Sequence, residues 1–387
     1  MTNDAEAIAG WLRPLLPRYL EELRQLCAIE CPTDAKAGVD AAGAWVWGWA
    51  ESHGFAPRRW ADALVGDGVS LTLQGSGSGR ILLAAHLDTV YPVGIAAARP
   101  LRFDGDVAFG PGSCDNKSGL LSALYAMEAL RSLCLTDRFG TITLYCGGDE
   151  ETDMRTSLVA LRELCASHDL ALVLEAGREN GDIVGARKGG GGFAFDVAGR
   201  AAHAGVEPER GANAILELAH KIIAAQGLNG VWPGVTLNVG IASGGTKANV
   251  VPDAARAEID VRVIRAEHRE PVVARLRAIA AETQVAGTTT QLLGDWHAPP
   301  MQATPASERL AATALGCAAS LGITTRAVAT GGISYANFIA ELGLPAIDGL
   351  GPVGGNDHSP REYILVSSIV PRTALLALLC TRAGGAL

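Results

Sequence analysis

The chain has 387 residues, with 32 Lys and Arg against 41 Asp and Glu, a net charge of −9. That length exceeds what one core usually holds, so two domains are expected. An acidic balance with scattered basic residues argues against nucleic acid and against an anionic membrane surface.

Hydrophobic residues make up 48% and no stretch is of low complexity, so the chain should be globular throughout. The opening MTNDAEAIAGWLRPLL lacks a basic region followed by an apolar core, and no signal peptide is expected. No run reaches the roughly 18 apolar residues of a membrane span. The eight Cys are dispersed with no CxxC, which indicates neither a disulfide framework nor a thiolate zinc site. Cys27 and Cys31 read as small residues on one apolar helix face. The cytoplasm is the expected compartment.

In chain order, residues 5–30 read as helical. A strand at 81–86, a helix at 116–132, a strand at 141–146, a helix at 156–166 and a strand at 170–174 follow the βαβ rhythm of a parallel or mixed sheet. Leu120, Leu124 and Met127 recur at helical spacing and give one buried face. KGGGG at 188–192 then reads as a hinge. A strand (193–199), a helix (211–226), two strands (235–241 and 254–263), a helix (268–283) and a strand (287–293) come next. In the third of these strands Ala257, Ile259, Val261 and Val263 alternate onto one face. The order β-α-β-β-α-β is that of a ferredoxin-like unit. DWHAPPMQATP at 295–305 reads as a second linker, and a helix at 306–321 resumes the first rhythm. The expected fold is α/β: a catalytic domain with a mixed, mainly parallel sheet flanked by helices (1–187 and 299–387), and an inserted ferredoxin-like α+β domain (188–298).

The apolar runs end in potential metal ligands. ILLAAHLD ends in His86 and Asp88, TITLYCGGDEE in Glu150 and Glu151, LALVLEAG in Glu175, and LPAIDGLGPVGGNDHS in His358; GPGSCDNKSG sets Asp115 on a Gly-Pro-Gly turn. Open α/β sheets bind ligands beyond the carboxyl ends of their strands. Imidazole nitrogens with carboxylate oxygens suit zinc and its borderline relatives. Asp115, Glu151 and Glu175 leave one positive charge on a pair of divalent cations, which a bridging hydroxide can neutralise. Asp115, at a rigid helix start, is the best bridge. Asp88, two residues beyond His86 on an extended strand, can orient that imidazole. Glu150 and Glu151 point in different directions, so one can bind metal and the other stand as general base; the spacing does not say which.

Taken together these residues resemble the M20 family of metallopeptidases and amidohydrolases, in its glutamate-carboxypeptidase-like branch. The stretches that carry the resemblance are HLDTVYP (86–92), GPGSCDNKSG (110–119), GGDEETD (147–153), LEAGREN (174–180), GRAAHAGVEPERGANAILELA (199–219), NVVPDAARAEIDVR (249–262), GGISYANFIAELGLPAIDGLGPVGG (331–355) and HSPREYI (358–364). The resemblance implies that Asp115 bridges two divalent ions, most simply Zn, with Co or Mn as alternatives. His86 and Glu175 complete one ion and Glu151 and His358 the other. It makes Glu150 the general base, Asp88 the partner of His86, and the Asp115–Asn116 peptide cis. The inserted domain is expected to be a lid and a homodimer interface. From it His203 would stabilise an oxyanion and Asn249 and Arg262 would contact substrate.

The implied reaction is hydrolysis of an amide in a small amino-acid-derived substrate, carboxypeptidase-like, with N-acyl-amino-acid deacylation as the alternative. A metal-dependent binding protein and phosphoester hydrolysis are the competing classes. Two departures bear on specificity: Ala329 stands where relatives often carry arginine, and Tyr335 where GG-x-[ST]-D-A has its acid. Tyr335 is open to two roles, packing or a substrate-facing aromatic.

Overall fold

Two prolines shape the N-terminus of the computed structural model, which describes residues 2–152 and 154–384. The helical stretch expected over 5–30 forms as Thr2–Leu12 and Leu16–Ala28, joined by a 3-10 turn, with Pro14 and Pro17 in first turns where a missing N–H costs nothing. The second helix stops at Ala28, so Cys31 is not on it; its thiol is buried and donates to the Leu87 carbonyl at 3.1 Å.

The chain folds into two units. The first takes the residues up to Ala186, then Ala303–Ala329 and Ser334 onward; the second takes Arg187–Gln302 and Thr330–Ile333.

In the first unit a six-stranded sheet runs in the order Pro57–Trp60, Gly68–Gln74, Thr141–Gly147, Arg80–His86, Leu170–Val173, Ala346–Ile347. The two outer pairings at the Pro57 end are antiparallel and the remaining three are parallel. Ile81–His86 and Leu170–Val173 are buried at every position, as strands covered on both faces must be. The helix Ser118–Ser132 is buried on nearly all sides, beyond the single face that Leu120, Leu124 and Met127 mark out. The last helix, Val366–Ala383, reaches the length and hydropathy of a membrane span, contrary to expectation, yet Ala374–Cys380 are wholly buried in the core of this unit. A smaller antiparallel sheet pairs Tyr363–Leu365 with Val107–Phe109, drawing the C-terminal segment to the turn that carries Asp115.

In the second unit a four-stranded antiparallel sheet runs Thr236–Gly244, Ala254–Val263, Gly189–Ala198, Thr289–Ala298. With the helices Ala214–Gln226 and Arg269–Ala281 this gives the ferredoxin-like order. Ala255, Ala257, Ile259, Val261 and Val263 are buried on its inner face against Leu218, Val272 and Leu276.

The glycine run is not a hinge. Gly189–Gly192 pair residue by residue with Val263, Arg262, Val261 and Asp260 inside a central strand. A Cβ on Gly189 would lie 2.6 Å from Pro300 N and one on Gly191 2.8 Å from the Trp296 ring. Glycine here permits close approach of neighbouring chain. DWHA, expected in a linker, is likewise strand: Asp295–Ala298 end Thr289–Ala298.

Candidate metal centre

His86 is the last residue of its strand and is fully buried. Its Nε2 lies 2.9 Å from Asp115 Oδ1 and 3.8 Å from Glu175 Oε1. Its Nδ1 faces Asp88, 3.0 Å from the carbonyl and 3.3 Å from Oδ1. Asp88 is fixed in turn. It accepts from Thr33 Oγ1 at 2.6 Å and from the Glu150 and Glu151 amides at 3.2 and 3.1 Å. One carboxylate therefore orients the imidazole and holds the turn bearing both glutamates.

The second histidine mirrors the first. His358 sits in a loop with φ +59° and its ring is half-exposed. Its Nε2 is 3.2 Å from Asp115 Oδ2 and 3.2 Å from Glu151 Oε2. The two oxygens of Asp115 thus face different histidines, each with its own glutamate.

Ligands about 2.1 Å from a tetrahedral zinc lie about 3.4 Å from one another. The separations are 2.9 and 3.8 Å about His86 and 3.2 Å twice about His358, close to that value. Glu151 Oε1 is buried with no hydrogen-bond partner, a donor atom in need of a counter-charge. The residues present fit two divalent cations.

The electrostatics are those of a crowded carboxylate site. Burial acts to raise Asp115, but its hydrogen bonds with His358 and His86 hold it well below the usual range. Burial would lower His86, and the Asp115 and Asp88 contacts raise it instead. The same two kinds of carboxylate contact, from Asp115 and Glu151, lift His358 to about 11. Glu150 is buried, and burial together with Glu175, Glu151 and Asp115 pushes it well above its ordinary value. No described residue hydrogen-bonds its side chain. A buried carboxylate with raised proton affinity holds a proton more readily than a free one.

The Asp115 turn has a support that the motifs did not single out. Glu362 is buried and accepts from the Gly112, Cys114 and Asp115 amides at 2.8, 2.8 and 3.0 Å. Burial raises it to about 7. The Asp115–Asn116 peptide is cis, as the resemblance implied. Thr33 was also unforeseen, since it precedes His86 by more than fifty positions; a parallel bridge from Pro32 to Thr89 brings it there. Acid residues four apart from a histidine in HSPRE could have flagged Glu362; nothing local flags Thr33.

His203, Asn249 and Arg262 lie in the second unit. His203 is exposed and accepts the Gly205 amide at Nδ1. Its neighbour Ala204 donates to the Asn249 carbonyl, so these two segments are paired. Arg262 Nε binds both oxygens of Asp260 at 3.0 Å. Tyr335 is fully buried and its hydroxyl meets Ser157 Oγ at 2.7 Å, which decides for packing over a substrate-facing role. Asp153, the last residue of GGDEETD, lies outside the described residues.

Comparison with known proteins points to one class of chemistry. The family described as a peptidase dimerisation domain of M20 type matches residues 185–288. Carboxypeptidase G2 of Pseudomonas sp. (strain RS-16) is 30% identical over 94% of this chain and 88% of its own length. A succinyl-diaminopimelate desuccinylase of Rhizorhabdus wittichii is 30% identical over 88% of this chain and 92% of its own. Among solved structures, the aminopeptidase PepT of Bacillus cereus superposes with a TM-score of 0.82 at 23% identity, covering 95% of this chain and 98% of that one. The YXEP protein of Bacillus subtilis, described as a dinuclear metal-binding peptidase, gives 0.72 at 17% identity, covering 97% of this chain and 100% of that one. Fold, candidate centre and relatives together define a metal-dependent hydrolase of amide bonds. The chain belongs to the M20 family of metallopeptidases and amidohydrolases.

Proposed function

We propose that the chain is a carboxypeptidase-like member of this family, cleaving the amide between an acyl or aminoacyl group and a small amino acid. The observation that carries the assignment of roles is Asp115, whose two oxygens face His86 and His358 separately. Two cations would be held here, one by Asp115 with His86 and Glu175, the other by Asp115 with Glu151 and His358. Zinc is the metal proposed, because two imidazoles with three carboxylates suit it. When bound, the ions would supply Lewis acidity towards water and the scissile carbonyl.

The protein's own groups do the rest. Glu150 takes a proton from the attacking water and passes it to the leaving amine, its raised proton affinity serving both halves of that transfer. Asp88 keeps the His86 Nε2 free of its proton by accepting at Nδ1. His203 donates to the oxyanion, and Asn249 and Arg262 hold the substrate; these three assignments rest on the family resemblance. The second unit pairs two copies into a homodimer, which its match to a dimerisation domain supports. Eight free cysteines suit a reducing compartment, and the cytoplasm is proposed.

N-acyl-amino-acid deacylation is the second reading. Ala329 brings no cation to the place where relatives often carry arginine, which weakens the case for a C-terminal glutamate substrate. The test is a hydrolysis screen of zinc- or cobalt-loaded protein on dipeptides and N-acetyl, N-succinyl and N-aroyl amino acids, with metal analysis and Glu150→Ala as control. Turnover lost in the variant supports the assignment, and the best substrate chooses between the readings. Full turnover in Glu150→Ala removes Glu150 as base.

A further inference from the structure

Tyr335 occupies a position where the family pattern has an acid, and the structure gives its hydroxyl a specific partner. The ring is fully buried at the start of the helix Tyr335–Glu341. That helix start is fixed. Ser334 Oγ accepts from the Ala336 amide and donates to buried Asp348 at 2.6 Å, while the Ser334 amide donates to Asn337 Oδ1 at 3.0 Å.

From this anchored base the hydroxyl contacts Ser157 Oγ at 2.7 Å, and the Tyr145 hydroxyl donates to the same atom at 3.2 Å. Ser157 Oγ donates to Asp149 Oδ1. A serine hydroxyl has one proton and two lone pairs. With its proton committed to Asp149, it accepts from both tyrosines, and the network closes in a single arrangement of protons. Asp149 also accepts the Thr156 and Ser157 amides at 2.8 and 3.1 Å, tying it to the first turn of the helix Arg155–Ser167. Glu150 and Glu151 follow Asp149 directly. The strand end before them is fitted to the same hydroxyl: a Cβ on Gly147 would lie 2.0 Å from Tyr335 Oη and 2.4 Å from Ser157 Oγ.

We propose that Tyr335 is a positioning residue, bracing the Glu150–Glu151 turn through Ser157 and Asp149. The turn is then held from two sides. Asp88 takes its amides at Glu150 and Glu151, and the Tyr335–Ser157 pair takes the side chain of the residue before them. A buried network whose members are all satisfied specifies one arrangement, and a reacting group needs placement to within about 0.5 Å. Where the family pattern has an acid, this chain carries a neutral hydroxyl that reaches the Glu150–Glu151 turn through a serine. The catalytic part of this inference rests on Glu150 acting as the base.

The test is Tyr335→Phe, which removes one oxygen and keeps the ring, with Ser157→Ala and the double variant. Two readouts are taken: steady-state kinetics with metal content, and hydrogen exchange at residues 149–151 in metal-free protein. The expected result is a kcat about tenfold lower with KM and two metals per chain unchanged, faster exchange at those amides, and a double variant no worse than Ser157→Ala alone. A kcat within about twofold of the parent, a loss that tracks KM or metal content, or unchanged exchange overturns the inference. Glu150→Ala is run alongside. Activity surviving there defeats the general-base reading, while the exchange readout still judges the brace on its own.

Discussion

Glu362 Oε1 accepts the amides of both Cys114 and Asp115, across 248 and 247 positions of sequence. A carboxylate from the last part of the chain thereby fixes the turn whose own carboxylate faces both histidines. Glu362→Gln keeps the shape but weakens the charge-assisted acceptor. Metal affinity should fall about 10- to 100-fold, the usual cost of losing an outer support of a ligand. Competition titration against a chelator measures it, and unchanged affinity would remove Glu362 from the centre's support.

The second unit holds a buried ion pair, Lys221 Nζ to Glu217 Oε1 at 2.7 Å. Glu217 also accepts the Gln284 and Val285 amides. Burial alone would raise Glu217, but Lys221 and the two amides lower it. A carboxyl lowered in the folded state adds stability that is complete above its unfolded value, about 4.3, and is lost as pH falls below it through the folded value. Urea midpoints measured from pH 7 to pH 3 should therefore drop more steeply for the parent than for Glu217→Gln. Lys221→Met, which strands a buried carboxylate, should cost about 3–5 kcal/mol at neutral pH.

Arg372 is a buried cation that donates to three backbone carbonyls: Gly351 at 2.9 Å, Gly181 at 3.1 Å, and Gly349. The Gly351 amide donates to the Glu175 carbonyl, so this arginine also steadies the segment of a proposed ligand. Arg372→Met leaves three carbonyls without their donor and should cost about 3 kcal/mol or more in urea unfolding. A loss below about 1 kcal/mol would mean that the carbonyls find other donors.

The four consecutive glycines should not respond alike. Nothing lies within 4 Å of a Cβ on Gly192, whereas one on Gly189 meets Pro299, Pro300 and Ala298 backbone at 2.6–2.8 Å. Gly192→Ala should leave the thermal midpoint near the parent value. Gly189→Ala should lower it by the equivalent of about 1–3 kcal/mol. Equal effects at both positions would refute the close-approach account.

Removal of metal should show in stability as well as activity. A ligand at a hundred times its Kd adds about 2.7 kcal/mol to the folded state. Dialysis against chelator should lower the thermal midpoint and make the exposed His358 loop more sensitive to protease, with zinc restoring both. Equal protection with and without zinc would show that the loop is rigid without the ions.

Much of the fold was legible because its signals are local. Alternation in Ala254–Val263 and the all-apolar Ile81–Ala85 each declare a strand within a few residues, and the ferredoxin-like order follows from the sequence of elements. The glycine run was misread for the same reason. Glycine marks a backbone that needs room, and only the neighbouring strands decide whether that room serves a turn or a close contact. The N-terminal break at Pro14 and Pro17 was present in the sequence but lay inside an otherwise helical pattern.

By itself the sequence determined which residues could ligate a metal and that they stand at the ends of strand-like runs, since residue type and spacing carry that information. It did not determine how Asp115 is shared, what holds it, or what Tyr335 touches. Those depend on contacts between residues 29 to 247 positions apart, from His86 with Asp115 to Glu362 with Asp115. Such contacts follow from strand order and register, which hydrogen bonding and burial settle only when the whole chain is packed.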